Sequence, residues 1–127
     1  MRLLSDFAWA VATIWQESRG EPYAGKIAVG NVIRNRCGLR ARTVAEVVLA
    51  PYQFSGWMTT DPNRVPAALI EDTDPVVKDC ADAWLASEKT ALVGNATLYA
   101  NLDIVKPDWL ARVAKVAQIG HHTFFSE

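Results

Sequence analysis

The 127-residue chain is short of several things, and each shortage removes a class of function. Only two cysteines are present, Cys37 and Cys80, and their spacing is that of neither a metal site nor a redox motif. Two buried free thiols are favoured over a disulfide. Histidine is equally scarce. His121 and His122 are the only two, and neighbours on a strand point to opposite faces, so the pair is not expected to converge on an ion. No metal and no other cofactor is expected. A net charge of −1 leaves no electrostatic footprint for nucleic acid or an anionic membrane. Arg34, Arg36, Arg40 and Arg42 are interleaved with apolar and polar residues, and read first as a solvated face and second as a patch for an acidic polymer. Repeats and low-complexity tracts are lacking too.

Long apolar runs are also missing. The stretch from Phe7 to Ile14 is about half the length a membrane-spanning helix needs. With Arg2 ahead of it, it loosely imitates a signal peptide. Against that, Asp6 interrupts the approach, and the chemically suggestive residues begin at Glu17, where a cleavage site would have to lie. The segment therefore reads as part of the folded domain, with no export signal and no stable membrane association. What remains is one domain, residues 1–127, large enough for a single apolar core and expected to be monomeric. Five tryptophans in so short a chain are more informative: some belong to the core, but tryptophan is also the side chain that best stacks on a sugar ring.

The apolar spacing of Leu4, Phe7, Val11, Ile14 and Trp15 predicts a first helix capped by Ser5 or Asp6 and ending near Ser18, before Gly20 and Pro22. A second runs from Gly25 to Arg36 on a stripe of Ala28, Val29, Val32 and Ile33. Thr43 and Glu46 form a capping-box pattern for a short third helix through Leu49, ended by Pro51. Tyr52 to Pro66 reads as a long loop, a length that in small domains is often functional. Asp74-Pro75 starts a further helix, with Val77, Cys80, Ala81, Trp84 and Leu85 facing the core. Thr97 to Tyr99 predicts a short extended segment and Pro107 to Val113 a short helix with Trp109 packed at its end. Segments Val116 to Ile119 and Thr123 to Phe125 flank Gly120 as a small hairpin. The sum is an α+β fold, mainly α, with a minor β element.

Glu17 stands out chemically. It lies on the margin of the first apolar stripe, where partial burial disfavours its charged form, and in the last helical turn, where the helix dipole does the same. Arg19 opposes both if its side chain reaches the carboxyl. A carboxylic acid still protonated near neutral pH is what glycosidic cleavage needs in order to protonate the leaving oxygen.

The run Glu17-Ser18-Arg19-Gly20-Glu21-Pro22, followed by Gly25, Ala28-Val29 and Asn35-Arg36, resembles the SleB-type cell wall hydrolases, the spore-cortex-lytic enzymes and their phage and proteobacterial relatives. The likeness continues through Gln53-Phe54-Ser55, Trp57 and Asp61-Pro62-Asn63-Arg64, and through Leu98-Tyr99, Asn101, Ile119-Gly120, His122 and Phe124. Ser18 departs from the usual alanine, Gly56 stands where near relatives often have cysteine, and Asn95 to Leu98 lacks a fuller Thr-Gly-Gly-type turn.

The resemblance implies a lysozyme-like fold and cleavage between N-acetylmuramic acid and N-acetylglucosamine, with Glu17 as catalytic acid. It favours a lytic transglycosylase, with a hydrolytic muramidase or a non-catalytic peptidoglycan-binding module as alternatives. Gln53 and Ser55 are expected to hydrogen-bond the glycan strand, and Tyr99 to position substrate or stabilise charge. Trp57 reads evenly as a sugar-stacking or a packing residue. Glu21 is the nearest second carboxyl, but Gly20 and Pro22 break the helix between it and Glu17. It is expected to accept loop amides or pair with an arginine rather than act as a second acid. His122 is expected to support the site from behind. A phage endolysin, made in the host cytoplasm and released to the periplasm and wall, fits the small size.

Overall fold

Short-range hydrogen bonds decide where the helices begin. The computed structural model describes residues 5–50, 53–59, 61, 65–66 and 69–127. Helix α1 (Asp6–Ser18) is opened by Ser5, whose hydroxyl accepts the Ala8 amide at 3.2 Å. Helix α2 (Tyr23–Arg40) extends the expected span at both ends, and stops where Ala41 turns left-handed at φ 50°. Helix α3 (Val44–Val48) carries the full reciprocal capping box of Thr43 and Glu46. Helix α4 (Pro75–Ser87) starts at Asp74, whose carboxylate accepts the Val76 amide at 2.8 Å. Leu4, Pro51, Tyr52 and Pro62 to Arg64 lie outside the described residues.

Helix α2 is the spine of the fold because it is buried on two sides. Val29 and Ile33 point into a cluster with Ala10 and Ile14 of α1, Val48 of α3, Phe54, and Cys80 and Trp84 of α4. Ala28 and Val32 join a second cluster with Val93, Ala96 and Phe124 beneath the sheet. The single stripe read from the sequence is thus divided between two packing faces. Phe7 and Leu85, expected in the core, are instead 42% and 59% exposed. Cys37 and Cys80 are both free thiols, and burial raises the pKa of each, that of Cys80 to about 12.

The polar face of α2 does work that composition could not reveal. The carbonyls at the end of α4 are satisfied from α2. Asn31 donates to the Ser87 and Thr90 carbonyls at 2.9 Å, and Arg34 donates to the Trp84 carbonyl at 2.7 Å with its guanidinium 3.7 Å above the Trp84 ring. The two helices touch so closely that a Cβ on Gly30 would sit 2.9 Å from the Ser87 hydroxyl. Further along, Asn35 donates to the Gly94 and Ala96 carbonyls and Arg36 Nε to the Thr97 carbonyl at 2.6 Å. Arg36 is 4% exposed. The reading of Arg34 and Arg36 as a solvated face is therefore wrong. Their carbonyl partners come from a segment some fifty to sixty residues away, which no local pattern records.

That anchoring delivers the chain into the sheet. Strands β1 (Leu98–Ala100), β2 (Ala114–Ile119) and β3 (His122–Ser126) form an antiparallel sheet in the order β1-β3-β2. Tyr99 pairs with Phe124 across β1 and β3. The expected hairpin is present, with Gly120 at φ 59° in its turn and a bulge between Lys115 and Ala117. Residues 108–112 form a 3₁₀ turn whose Trp109 packs edge-on against Phe125 at 5.3 Å.

Candidate active site

Helix α1 ends beside the sheet, and this places Glu17 against Tyr99. Ser18, buried, bonds back to the Ile14 carbonyl at 2.6 Å, and the Arg19 amide closes the last turn on Trp15. Glu17 then lies on the floor of a cavity of about 370 Å³. The Tyr99 hydroxyl donates to Glu17 Oε1 at 2.6 Å, and the Gly56 amide donates to the same carboxyl group. Gly56 comes from a 3₁₀ turn, Ser55–Trp57, pressed onto α1. A Cβ at position 56 would lie 2.7 Å from Gln16 Cβ, so only glycine admits this approach beside this glutamine. Gln16 in turn donates to the Val65 carbonyl at 2.9 Å and ties the following loop to the helix.

Burial raises the pKa of Glu17, the direction read from the sequence. The Tyr99 hydroxyl, the Gly56 amide and the charge of Arg36 pull it down, while the charge of Asp61 pushes it up. The opposing cation is Arg36, not Arg19. Arg19 is occupied elsewhere, donating to the Gln16 carbonyl at 3.2 Å with its guanidinium 4.6 Å from the Trp15 ring. Burial, with the charge and hydrogen bond of Glu17, holds the Tyr99 phenol far above its ordinary pKa, so it stays a donor throughout the working pH range.

Glu21 does not share the cavity floor. Its carboxylate accepts the His121 amide at 2.7 Å and lies 2.7 Å from His121 Nδ1. Loop-amide acceptance is as expected, but the charged partner is a histidine and not an arginine. Burial acts to raise the Glu21 pKa, but the two bonds from His121 and the nearby His122 outweigh it and the net shift is downward. The His121 pKa is raised by the same contact. The expectation that adjacent histidines diverge fails here, because His121 sits in the turn and only His122 lies on the strand. His122 Nδ1 comes to 3.8 Å from Glu21 Oε1, while its ring lies 4.8 Å from that of Tyr99. Burial lowers the His122 pKa, leaving it neutral at neutral pH. The hairpin is thus latched to the α1–α2 corner by Glu21, and His122 backs Tyr99, which holds Glu17.

Of the other residues singled out in the sequence, Ser55 lines the Glu17 cavity. Gln53 does not; it lines a neighbouring cavity with Arg36, Arg40 and Arg42. Trp57 turns its indole N–H inward onto the Thr13 hydroxyl at 2.8 Å and packs against Trp9 at 5.2 Å between ring centres. Asp61 is the carboxylate the residue-by-residue reading missed. It lines the cavity and its charge acts on Glu17, whereas Glu21, the nearest second carboxyl in sequence, was expected to play a structural part and does not line the cavity. Asn101 and Ile104, just past β1, line the same cavity. Their only sequence signal was the resemblance of Asp61 and Asn101 to family positions.

A half-buried acid at a helix end, held by a tyrosine from a small sheet and open to a cleft, sits in a mainly helical α+β domain of lysozyme-like fold. Residues 20–125 match the family described as Cell Wall Hydrolase, and the chain belongs to that family. The match begins just after Glu17, which lies outside it. The spore cortex-lytic enzymes of Oceanobacillus iheyensis and Bacillus cereus are 31% and 30% identical over 126 residues, 94% of this chain. This chain spans 41% and 44% of their lengths. Two solved structures are similar along almost their whole length. The catalytic domain of the Bacillus cereus SleB protein is 28% identical with a TM-score of 0.73, covering 95% of this chain and 89% of that one. The catalytic domain of the germination-specific lytic transglycosylase SleB from Bacillus anthracis is 27% identical with a TM-score of 0.75, covering 99% of both.

Proposed function

We propose that this chain cleaves the bond between N-acetylmuramic acid and N-acetylglucosamine in peptidoglycan as a lytic transglycosylase. The observation that carries the reading is the Glu17 carboxyl on the cavity floor, 2.6 Å from a tyrosine that stays protonated. The protonated acid donates its proton to the glycosidic oxygen as the C1–O bond of the muramic acid breaks, and the N-acetylglucosamine leaves with a free C4 hydroxyl. The Tyr99 and Gly56 donors stabilise the carboxylate that Glu17 has then become. That carboxylate takes the proton of the muramic acid C6 hydroxyl as O6 bonds to C1, which closes a 1,6-anhydro ring and returns Glu17 to its acid form. No water is consumed. Ser55 and Asn101, which line the cavity, hydrogen-bond the sugars, and Asp61 stabilises positive charge at C1. The name of the Bacillus anthracis relative, a lytic transglycosylase, supports this route.

One observation favours a second reading. Asp61 puts another carboxylate in the cavity, and a hydrolase uses such a group to activate water. Digestion in H₂¹⁸O separates the two. Anhydro products without ¹⁸O support the transglycosylase; reducing ends carrying ¹⁸O, lost in Asp61→Asn, make the enzyme a muramidase.

A further inference from the structure

Next to the Glu17 cleft lies a second cavity, of about 160 Å³, whose described lining holds three arginines and no carboxylate. We propose that this cavity, walled by Arg36, Arg40 and Arg42 with Gln53, is a carboxylate subsite that takes the peptide stem carried by muramic acid; the proposal rests on the peptidoglycan reading of the cleft.

The two cavities are joined by sequence and by charge. Gln53 lines the arginine cavity while Ser55 and Gly56 line the Glu17 cavity, with Phe54 buried between them. A chain lying along this segment meets both. Arg36 is buried and preset, fixed by its bond to the Thr97 carbonyl at 2.6 Å and by the Phe54 ring 4.8 Å from its guanidinium carbon. Its buried Nη1 has no hydrogen-bond partner among the described residues. A fixed guanidinium loses little side-chain freedom on binding an anion, and its planar fork matches a carboxylate better than any other side chain does. The cavity, about 160 Å³, is large enough to admit a carboxylate with its adjoining carbons. Arg40 already shows the preference: one of its guanidinium nitrogens holds the Glu127 carboxylate, outside this lining, with both oxygens at 3.2–3.3 Å. In an unsubstituted glycan strand the regularly recurring anions are the carboxylates of the peptide stems, attached through the lactyl group of the sugar whose C1 is attacked. Gln53 supplies an amide suited to the peptide backbone beside such a carboxylate.

The test is a titration of ¹⁵N-labelled protein with the free stem peptide L-Ala-γ-D-Glu-meso-diaminopimelate-D-Ala-D-Ala, followed by amide shifts. Shifts centred on Arg40, Arg42 and Gln53, with binding weakened about ten-fold in the Arg40→Gln/Arg42→Gln double variant, support the proposal. The single variant Arg42→Gln, at an exposed position, gives a smaller loss and serves if the double variant does not fold. No shifts at these residues, or inorganic phosphate binding as tightly as the peptide, overturns it, the latter by making the cavity a general anion site. In parallel, wild type is offered glycan strands with their stems and strands stripped by an amidase. Cleavage of neither, alongside peptide binding in the cavity, sinks the proposed reaction and leaves the subsite standing.

Discussion

Replacing Tyr99 by phenylalanine removes one hydrogen bond and almost nothing else. The ring keeps its contacts with Phe124 and His122 at 5.5 and 4.8 Å, so the sheet stays in place. The lost bond, 2.6 Å long, stabilises the Glu17 carboxylate more than the acid. A bond to a charged group is worth about 1.5–3 kcal/mol, so its loss should raise the Glu17 pKa further. The basic limb of kcat/KM, which reports loss of the Glu17 proton, should move up with it. Tyr99 itself cannot produce that limb, because its phenol titrates far above the range. With the proton about half transferred, the transition state loses on the order of 1 kcal/mol, a five- to ten-fold fall in rate on the plateau. The assay is muropeptide release from purified peptidoglycan across pH. A limb that stays fixed or moves down refutes the role given to Tyr99.

Other predictions follow from the same geometry. Glu17→Gln should be more stable than wild type at pH 7. The folded pKa of Glu17 is raised, so the folded state binds the proton more tightly than the unfolded one. The resulting handicap appears as pH rises above about 4.5 and is complete above the folded pKa. A gain on the order of 1 kcal/mol, about 4 °C in Tm for a domain of this size, should therefore be seen at pH 7 and vanish at pH 4. Gly120→Ala should cost at least about 1–2 kcal/mol, because φ is +59° and the new Cβ would meet Glu21 Oε1 at 2.5 Å. Chemical denaturation checks it, and a neutral effect contradicts the latch. His121→Ala should lower Tm most between pH 5 and 6. The Glu21 pKa is lowered and that of His121 raised, so the Glu21 part is lost as pH falls below 4.5 through its folded value, and the His121 part as pH rises above 6.5 through its own. Equal losses at pH 5.5 and 8.5 would mean that the charge pair contributes nothing.

What was legible in the sequence was local. Ser5, the Thr43–Glu46 box, Asp74-Pro75 and Gly120 each act within a few residues of themselves, so their elements were readable one by one. Glu17 was readable because its helix end and apolar margin are both local features. Its partners were not. Tyr99 lies 82 residues away, and Asp61 reaches Glu17 through a loop without periodicity. Arg36 resembles any surface arginine until the Thr97 carbonyl, 61 residues further on and just ahead of β1, arrives beside it. Phe7 and Leu85 fit their helical stripes, but neighbouring elements do not cover them. His121 and Glu21, 100 residues apart, meet only because the hairpin turn folds onto the α1–α2 corner.

The most direct test of the central claim is digestion of purified peptidoglycan by wild type and by Glu17→Gln, with products identified by mass spectrometry. The account predicts 1,6-anhydro muropeptides from wild type and none from the variant, which should remain folded. Undiminished release of the same products by Glu17→Gln would contradict it, because the acid would then have to lie elsewhere.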